Sequence, residues 1–540
     1  MRERTRMTPA RSHGPRAALD VIGIGFGPAN LALALCLEEQ PPSIDGRPLQ
    51  SLFLERKASY EWHPDMLLEG AEIQVPFLKD LVTLRNPQSH FTFLNYLRLH
   101  GRLLDFVNLR RWFPTRLEFN DYYRWVAAQL ADRVRYGRAV ESVLPVAQEA
   151  PVDAGGGTVE LLQVTARHLE TDRLEEYRTR NLVVATGGVP YIPPGIDVAA
   201  AAKVFHSQGF LQQVRRHFPQ ADAPYRFLVV GSGQSAAEIF QYLFSHYPNA
   251  AVTAALRRFA YKPADESEFV NEIYSPAMTD LFFALPEAER CYLKNAHADT
   301  NYSAVDLELI RSIFRALYEM KVKGDTRVRV RSLVELRQVE QNGSGLVAKL
   351  WNRAEGRMEC LEADGVVLAT GFHRPPRHPL LAGLAEHLLV KADGEYQVGR
   401  DYRVASLPGF APGIYLQGFC ESTHGLSDSV LSVLPIRSRE IADSLGGALV
   451  HAALADPQAP PRTAALAGLR ELAEPVLELP IDLDRPRAME VGELPPSPPE
   501  GREGGWGDAG GDPIDAGKLR DTSEPQGRYR ANRAAGSSSS

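Results

Sequence analysis

The chain has 540 residues, a formal net charge of −7 and 44% hydrophobic residues. Its length is well beyond that at which one hydrophobic core keeps growing, so two or three domains are expected. The charge balance and composition exclude a strongly basic nucleic-acid-binding protein and a wholly disordered chain. The four cysteines, Cys36, Cys291, Cys360 and Cys420, form no C-x-x-C pair. We therefore expect no zinc site, disulfide framework or dithiol centre, and a reducing cytoplasm fits.

The two ends of the chain have compositions that do not form a core. Residues 1–16 are basic and aperiodic, and the sequence after about 490 is rich in Pro, Gly and Ser. We predict disorder over 1–16 and 476–540. The basic start and the apolar stretch after it resemble a signal peptide or anchor, but Asp20 and Asn30 interrupt the stretch and no small-residue cleavage site follows. No membrane segment is expected.

Between the ends, short β-branched runs alternate with longer helical patterns, which predicts an α/β fold with parallel sheets. The four clearest runs lie at 18–25, 181–188, 225–233 and 364–372. The first and third end in a glycine-rich turn that opens a helix, and the other two end in A-T-G. This predicts two Rossmann-like dinucleotide-binding domains. We assign 17–205 and 362–475 to the first domain, and 206–361 to the second, with a small, mostly helical substrate-binding insertion at about 265–322.

The first glycine turn places Gly23, Gly25 and Gly27 between a buried strand and an apolar helix. Glycines let the backbone approach a pyrophosphate, whose charge then lies against the helix start. Pro28 replaces the usual third glycine, and a plain strand-to-helix turn remains an alternative. Glu55 ends the next strand, where an acidic side chain binds an unphosphorylated ribose, which favours FAD at this site.

The second glycine turn repeats the arrangement about 200 residues later. Its cofactor-binding candidates are Gly231, Ser232, Gly233, Gln234 and Ser235. The following strand ends in Arg257, and a cation at this position suits a 2′-phosphate, which favours NADPH. A solvated basic loop is the alternative. Two such turns indicate an enzyme in which one dinucleotide reduces the other. Without paired cysteines the electrons must reach oxygen or a small acceptor, so a monooxygenase or an oxidase follows.

A longer series of motifs carries a family resemblance. It includes QVPFLKDLVTLRNP from Gln74, then GSGQSAAE, FVNEIYSP, Thr300-Asn301-Tyr302, LATGF and THGLSDSVLS, and it spans roughly residues 18–445. This series resembles the microbial N-hydroxylating flavin monooxygenases of hydroxamate siderophore biosynthesis, and among them the L-ornithine N(5)-monooxygenases. The family tolerates proline in its GFGPxN turn, which accounts for Pro28.

The resemblance also implies residue roles. It assigns substrate binding to Lys79, Asn271, Asn301 and Ser432, a flavin contact to Gln74, and NADP contacts to Ser235 and Arg257. Asn30 in the first glycine-turn segment and His424, in the segment that should cover the flavin, are further candidates for flavin binding. Lys79 is suited to the substrate α-carboxylate, and the asparagines offer amide oxygens to its ammonium groups. On residue type alone, a solvated lysine and backbone-capping asparagines are the alternatives. Ser427 and Ser429 compete with Ser432. For His424, a place in the core is the alternative to the flavin contact. His63 is expected to be a core or surface histidine.

The implied reaction is FAD- and NADPH-dependent hydroxylation of L-ornithine with O2 through a flavin C(4a)-hydroperoxide, giving N(5)-hydroxy-L-ornithine, NADP⁺ and water. The side-chain amine must be neutral to react, and the sequence does not identify the acceptor of its proton. A homo-oligomer, a tetramer in the family, is expected. The alternatives are an L-lysine N(6)-monooxygenase, from which the TNYSAVD stretch distinguishes the chain, an NADPH oxidase that releases peroxide, and a non-catalytic flavin-binding redox sensor.

Overall fold

The computed structural model describes residues 18–44, 47–147, 158–199, 201–343 and 345–447. These residues belong to one unit of the chain, which extends over Met1–Ala459. The two segments predicted to be disordered, 1–16 and 476–540, lie outside the described residues. Within the described part, every helix is too short or too polar to cross a membrane.

The described residues form both strands and helices, which alternate around the two glycine turns and occur in runs of one type elsewhere. The strands are β1 (Leu19–Ile24), β2 (Ser43–Ile44), β3 (Arg47–Pro48), β4 (Ser51–Glu55), β5 (Val134–Tyr136), β6 (Arg138–Ala147), β7 (Val159–His168), β8 (Arg173–Val184), β9 (Val189–Pro190), β10 (Val204–His206), β11 (Arg226–Val230), β12 (Ala251–Ala255), β13 (Lys262–Pro263), β14 (Ala304–Val305), β15 (Val328–Arg331), β16 (Val334–Asn342), β17 (Gly345–Asn352), β18 (Arg357–Ala363), β19 (Gly365–Leu368), β20 (Phe372–His373) and β21 (Gly413–Leu416). The α-helices are α1 (Pro28–Glu39), α2 (Phe93–Leu99), α3 (Leu103–Leu109), α4 (Arg116–Gln129), α5 (Phe210–His217), α6 (Gln234–His246), α7 (Glu268–Asn271), α8 (Pro276–Ala284), α9 (Glu287–Ala296), α10 (Leu307–Val322), α11 (Glu421–His424) and α12 (Leu434–Leu445).

The first sheet holds the first glycine turn. Strands β5, β4, β1 and β8 are parallel and adjacent in that order, and β21 pairs in parallel with the last part of β8. The first part of β8 pairs antiparallel with β7, which pairs with β6. Helix α1 is apolar on all sides and buried from Asn30 to Leu37, because it packs between this sheet and α12.

The second sheet holds the second glycine turn. It is wholly parallel, in the order β10, β19, β11, β12, β15. Buried strands of this kind are continuously apolar, as FLVV in β11 and GVVL in β19 are. All four β-branched runs are therefore confirmed as strands. The α/β class is confirmed as well.

The predicted boundaries of the second domain are wrong at both ends. The boundary at 205/206 divides β10 and the boundary at 361/362 excludes β19, yet both strands pair within the second sheet. Both A-T-G turns follow a central parallel strand, so the motif does not reveal which sheet it belongs to. The chain passes between the sheets through β9 and β20, which pair antiparallel with each other.

The insertion predicted at about 265–322 is mostly helical, as expected. It comprises α7 to α10 and the short strand β14, which pairs with β13. Helix α10 packs on the core of the second sheet through Ile313 and its neighbours, whereas α8 contacts α11. The insertion therefore adjoins both the second sheet and the segment around α11.

Candidate active site

In the first glycine turn, two glycines are in close contact with the protein and the third faces open space. A Cβ at Gly25, whose φ is +82°, would lie 2.6 Å from the carbonyl oxygen of Ala185 in the first A-T-G turn. A Cβ at Gly23 would lie 2.2 Å from the ring of Phe53. Gly27 meets nothing within 4 Å and caps α1 without a side-chain hydrogen bond. The N–H groups at the start of α1 are thus available to an anionic group such as a pyrophosphate.

Asn30 holds this turn together from beneath. Its Nδ2 donates to the carbonyl oxygens of Gly25 at 2.6 Å and Ile24 at 3.3 Å, and its Oδ1 accepts from Gln417 Nε2 at 2.8 Å. The side chain is fully buried. The side chain of Asn30 thus supports the turn from within the protein, and its flavin contact remains a prediction.

Glu55 ends β4 beside the same turn. Its Oε2 accepts from Phe26 N at 2.7 Å and its Oε1 from Lys57 N at 2.9 Å. The carboxylate thereby fixes the backbone of the glycine turn and is itself mostly buried. Its contact with a ribose hydroxyl remains a prediction.

His424 is a core histidine. Its ring stacks on Tyr402 with the ring centroids 4.1 Å apart, and its nitrogens lie 2.9 Å from Thr423 Oγ1 and 3.0 Å from the carbonyl oxygen of Arg400. Burial lowers the pKa of His424 to about 4, so the ring is neutral near pH 7. The residue is fully buried, and its flavin contact remains a prediction.

The second glycine turn packs against an A-T-G turn, as the first one does. A Cβ at Gly231, whose φ is +147°, would lie 2.2 Å from the carbonyl oxygen of Ala369 in the second A-T-G turn. Gly233 caps α6 without a side-chain hydrogen bond. Arg257 follows β12 and is exposed, with no ion pair to any residue in the described ranges. Its guanidinium therefore remains available to an anion.

A cavity of about 480 Å³ opens beside the start of α6. It lies within the size range of small-molecule sites. Seven of the predicted site residues line it, namely Gln74, Lys79, Gln234, Ser235, Asn271, Asn301 and Ser432. They come from the segment before α2, from α6, from the helical insertion and from the segment before α12. The fold therefore brings together residues that are far apart in the sequence.

Lys79 and Arg116 are cations of the cavity wall, and Arg116 is paired with Glu238. Lys79 Nζ lies 5.8 Å from the centroid of the Tyr274 ring. Burial lowers the pKa of Lys79, and the nearby carboxylate of Glu272 partly opposes that shift. A half-buried ammonium group without an ion pair in the described residues is suited to an anionic ligand, because a carboxylate would restore the solvation that burial removes.

The two asparagines present acceptors to the cavity. Asn271 Nδ2 donates to the carbonyl oxygen of Glu266 at 3.0 Å, and Asn301 Nδ2 donates to Ser429 Oγ at 3.2 Å. In both side chains the amide nitrogen is thus bound by the protein, which leaves the carbonyl oxygen for a ligand N–H.

Three serines competed for one role in the sequence, and the structure separates them. Ser432 and Ser429 line the cavity. Ser427 is buried, where its Oγ lies 3.2 Å from Thr279 Oγ1 and donates to the carbonyl oxygen of His424 at 3.2 Å. Ser427 is therefore structural, and both other serines can contact a ligand.

Gln74 and Gln234 link the two glycine-turn regions. Gln74 Nε2 donates to Gln234 Oε1 at 3.3 Å, and the same oxygen accepts from Asp306 N at 2.8 Å. Gln234 Nε2 donates to Glu238. A second cavity of about 470 Å³ also has both glutamines in its lining. Gln234 thus fixes the boundary between the two cavities, and its NADPH contact remains a prediction.

The sequence did not identify several residues of the cavity. Two of them are Tyr274, whose ring lies near Lys79, and Arg116, whose Nη2 lies 2.8 Å from Glu238 Oε1. His63 lines the cavity, although it was expected to be a core or surface histidine. Enclosure by protein, together with the charges of Arg116 and Lys57, lowers the pKa of His63 to about 4. The neutral ring adds no positive charge to the cavity.

Comparisons with known proteins agree with this geometry. Residues 17–374 match the family described as L-lysine 6-monooxygenase/L-ornithine 5-monooxygenase. The chain belongs to this family. Among relatives of this monooxygenase, the L-ornithine N(5)-monooxygenase of Pseudomonas aeruginosa is 40% identical over 427 residues, which cover 79% of this chain and 93% of that protein.

Solved structures of the same family show the same fold. The ornithine N-hydroxylase of Kutzneria sp. 744, described with reduced FAD, NADP⁺ and L-ornithine, is 39% identical with a TM-score of 0.74, covering 80% of this chain and 100% of that chain. The L-lysine 6-monooxygenase of Pseudomonas syringae is 32% identical with a TM-score of 0.69 at the same coverage. Both substrate types of the family name are therefore represented among the relatives of this monooxygenase.

Proposed function

We propose that this monooxygenase hydroxylates the side-chain amine of L-ornithine with NADPH and O2, giving N(5)-hydroxy-L-ornithine, NADP⁺ and water for a hydroxamate siderophore or a related natural product. One observation carries the proposal. Lys79, Asn271, Asn301 and Ser432 converge in a single cavity beside the start of α6. A cation opposite amide and hydroxyl acceptors complements an amino acid that has one carboxylate and two ammonium groups.

The two glycine turns suit two dinucleotides in two Rossmann-like units. FAD would lie at the first turn, where Gly27 leaves open space and the start of α1 carries no side-chain cap. NADPH would lie at the second turn, with its 2′-phosphate near Arg257 and its phosphates at the uncapped start of α6. The Kutzneria enzyme, described with both cofactors and L-ornithine, supports this assignment.

The chain's own residues bind and orient the substrate. FAD, once reduced by NADPH, supplies the activation of O2. Lys79 would bind the α-carboxylate, while the carbonyl oxygens of Asn271 and Asn301 accept hydrogen bonds from the ammonium groups. This arrangement would fix which end of the amino acid reacts, because Lys79 attracts the carboxylate and the amide oxygens accept from the ammonium groups.

We also propose a homo-oligomer. Helix α3 and the turn after it expose Leu104, Val107, Leu109 and Trp112, each at least 60% exposed. Apolar side chains that cluster on a surface in this way mark an interaction site, and a second copy of the chain is the occupant that the family resemblance implies.

A product assay tests the proposed reaction. The purified holoenzyme is supplied with NADPH and L-ornithine, L-lysine or no amine, and hydroxylamine and hydrogen peroxide are measured separately. We expect hydroxylamine chiefly from L-ornithine. Preference for L-lysine would indicate a lysine N(6)-monooxygenase, whose substrate is longer by one methylene. A pocket discriminates against one methylene by only ~1–3 kcal/mol. Peroxide alone would indicate an oxidase, and bound FAD without turnover would indicate a redox sensor.

Lys79→Ala tests the substrate site. Loss of a charge-assisted contact of ~1.5–3 kcal/mol should raise the Michaelis constant for L-ornithine at least tenfold. Oxidation of NADPH without amine should change little, since Lys79 is assigned to the substrate alone. Lys323→Ala, which removes an exposed lysine after α10, is the matched control. An unchanged Michaelis constant in Lys79→Ala would remove this residue from the site.

A further inference from the structure

A chain of hydrogen bonds leads from the cavity wall to a carboxylate. Asn301 Nδ2 donates to Ser429 Oγ at 3.2 Å, and Ser429 Oγ lies 3.2 Å from the hydroxyl of Tyr302. The hydroxyl of Tyr302 in turn hydrogen-bonds to Glu421 Oε2. Asn301 and Ser429 line the cavity, whereas Tyr302 and Glu421 lie behind it. None of the roles assigned above uses Tyr302 or Glu421.

The carboxylate fixes the direction of every bond in this chain. An ionised carboxylate only accepts, so Tyr302 must donate to Glu421. The single proton of the Tyr302 hydroxyl is then used, and Ser429 must donate to Tyr302. Ser429 Oγ consequently accepts from the amide of Asn301 and retains one lone pair. That lone pair belongs to a side chain of the cavity wall, where it can accept from a ligand N–H.

The surroundings of Glu421 combine nearby cations with access to solvent. Two cations face the Tyr302–Glu421 pair. Lys294 Nζ, from α9, lies 3.9 Å from Glu421 Oε1, and Arg374, which follows β20, is close enough to influence Tyr302. The side chain of Glu421 is 21% exposed, so a proton that arrives there can pass to solvent. Burial and Glu421 raise the pKa of Tyr302 to about 12, so its hydroxyl stays neutral.

We propose that Ser429, Tyr302 and Glu421 form a relay that removes the proton of the substrate's side-chain ammonium group, with Ser429 in contact with that group. An N–H bond of the ammonium breaks as an O–H bond forms at Ser429. The proton of Ser429 moves to Tyr302 and that of Tyr302 moves to Glu421. A neutral amine and a neutral carboxylic acid result, with no change in oxidation state. Ser429 is the catalytic residue, and Tyr302 and Glu421 are positioning residues.

The transfer is favoured by the enclosed site. In water an alkylammonium group loses its proton near pH ~10 and a carboxyl group near pH ~4, so the transfer opposes the intrinsic acidities. Within the protein the transfer converts two charged groups into two neutral ones, and enclosure in the cavity favours the neutral amine over the ammonium form. Release of the proton from Glu421 to solvent completes the transfer and leaves the relay ready for the next substrate. The relay rests on the proposed amine hydroxylation, because without an ammonium substrate it has no proton to carry.

The first test uses binding rather than turnover. L-Norvaline has the backbone of L-ornithine without the side-chain amine, so it cannot contact the relay through that group. In the holoenzyme with NADP⁺, Glu421→Gln removes the obligate acceptor and should weaken L-ornithine binding at pH 7.5 at least tenfold by calorimetry. L-Norvaline binding should change less than twofold. Equal losses for both ligands, or none for either, would overturn the relay. Glu289→Gln, on exposed α9 surface, is the control.

The second test uses pH. Tyr302→Phe removes one hydroxyl, so the amine must lose its proton directly to solvent. Hydroxylamine formation should fall at least tenfold at pH 7.5 and recover as pH rises, while NADPH oxidation continues with release of hydrogen peroxide. Tyr292→Phe, at a residue 67% exposed, should match the unsubstituted enzyme. Superimposable pH profiles for Tyr302→Phe and the unsubstituted enzyme would overturn the relay, and a misfolded variant would be replaced by Ser429→Ala.

The two proposals fail in different ways. If the unsubstituted holoenzyme neither binds nor hydroxylates L-ornithine, the proposed function is wrong, whatever the variants do. If it hydroxylates L-ornithine and Glu421→Gln and Tyr302→Phe leave ligand preference and pH profile unchanged, only the relay is wrong.

Discussion

The two glycine turns both pack against an A-T-G turn, but the side chains around them differ. In each, a glycine with positive φ packs against the carbonyl oxygen of an A-T-G turn, Gly25 on Ala185 and Gly231 on Ala369. Around the first turn, the supporting side chains Asn30 and Glu55 are buried. Around the second, Gln234 and Ser235 line the cavity and Arg257 is exposed. The side chains that support the first turn are therefore enclosed, whereas those around the second turn are accessible. This difference suits a FAD that stays bound and an NADPH that exchanges.

Gly25→Ala should have the largest effect on this comparison. The added methyl group meets a backbone carbonyl at 2.6 Å, and a φ of +82° strains any L-residue. We expect a loss of about 2–4 kcal/mol in the free energy of unfolding and loss of bound flavin. Urea unfolding and flavin retention through gel filtration measure both.

Gly27→Ala is the matched control for that substitution, because its methyl group meets nothing within 4 Å. Stability should stay within about 0.5 kcal/mol, while flavin affinity falls because the methyl group occupies the space of the pyrophosphate. If Gly25→Ala proved as stable as Gly27→Ala, the close packing of the turn would have no energetic importance.

Asn30→Ala should have a smaller effect on the same turn. It leaves the carbonyl oxygens of Ile24 and Gly25 and the amide of Gln417 without their buried partner. We expect a loss of about 2–3 kcal/mol in the free energy of unfolding, with faster flavin release. Asn249→Ala removes one exposed hydrogen bond and should cost less than about 0.5 kcal/mol. Equal thermal unfolding of the two variants would contradict a supporting role for Asn30.

Arg257→Ala should have the smallest effect on stability, because Arg257 is exposed and unpaired within the described residues. It should act on binding alone. Loss of a phosphate contact should raise the Michaelis constant for NADPH about tenfold and leave that for NADH nearly unchanged. Arg329→Ala on exposed β15 is the control. Equal changes for NADPH and NADH would show that Arg257 does not select the 2′-phosphate.

Much of the fold could be predicted because the signals are local. Strand–glycine–helix segments specify their own geometry, and all four β-branched runs became strands. The boundary between the sheets was wrong because β19 carries the same A-T-G signal whichever sheet it joins. Pairing with β10 and β11 decides that question, and strand pairing is a long-range property.

The site was predicted through motifs, and the motifs do not show which of their side chains are buried. Asn30 and His424 lie in motif segments, but their burial depends on Gln417 and Tyr402, which no local pattern connects to them. The bond from Tyr302 to Glu421 joins positions 119 apart. Sequence alone indicates which segments surround a ligand, whereas the direction of each side chain depends on packing between those segments.

The antiparallel pairing of β9 with β20 has a consequence for how the chain is organised. The chain leaves the first sheet at Val189–Pro190 and returns at Phe372–His373, and these two segments lie side by side. The whole second sheet is therefore formed by an insertion in the sequence, and the two segments that connect it to the rest of the chain are adjacent strands. Residues 191–371 are thus connected to the rest of the chain at one place, and no strand of the first sheet comes from the described residues of that range.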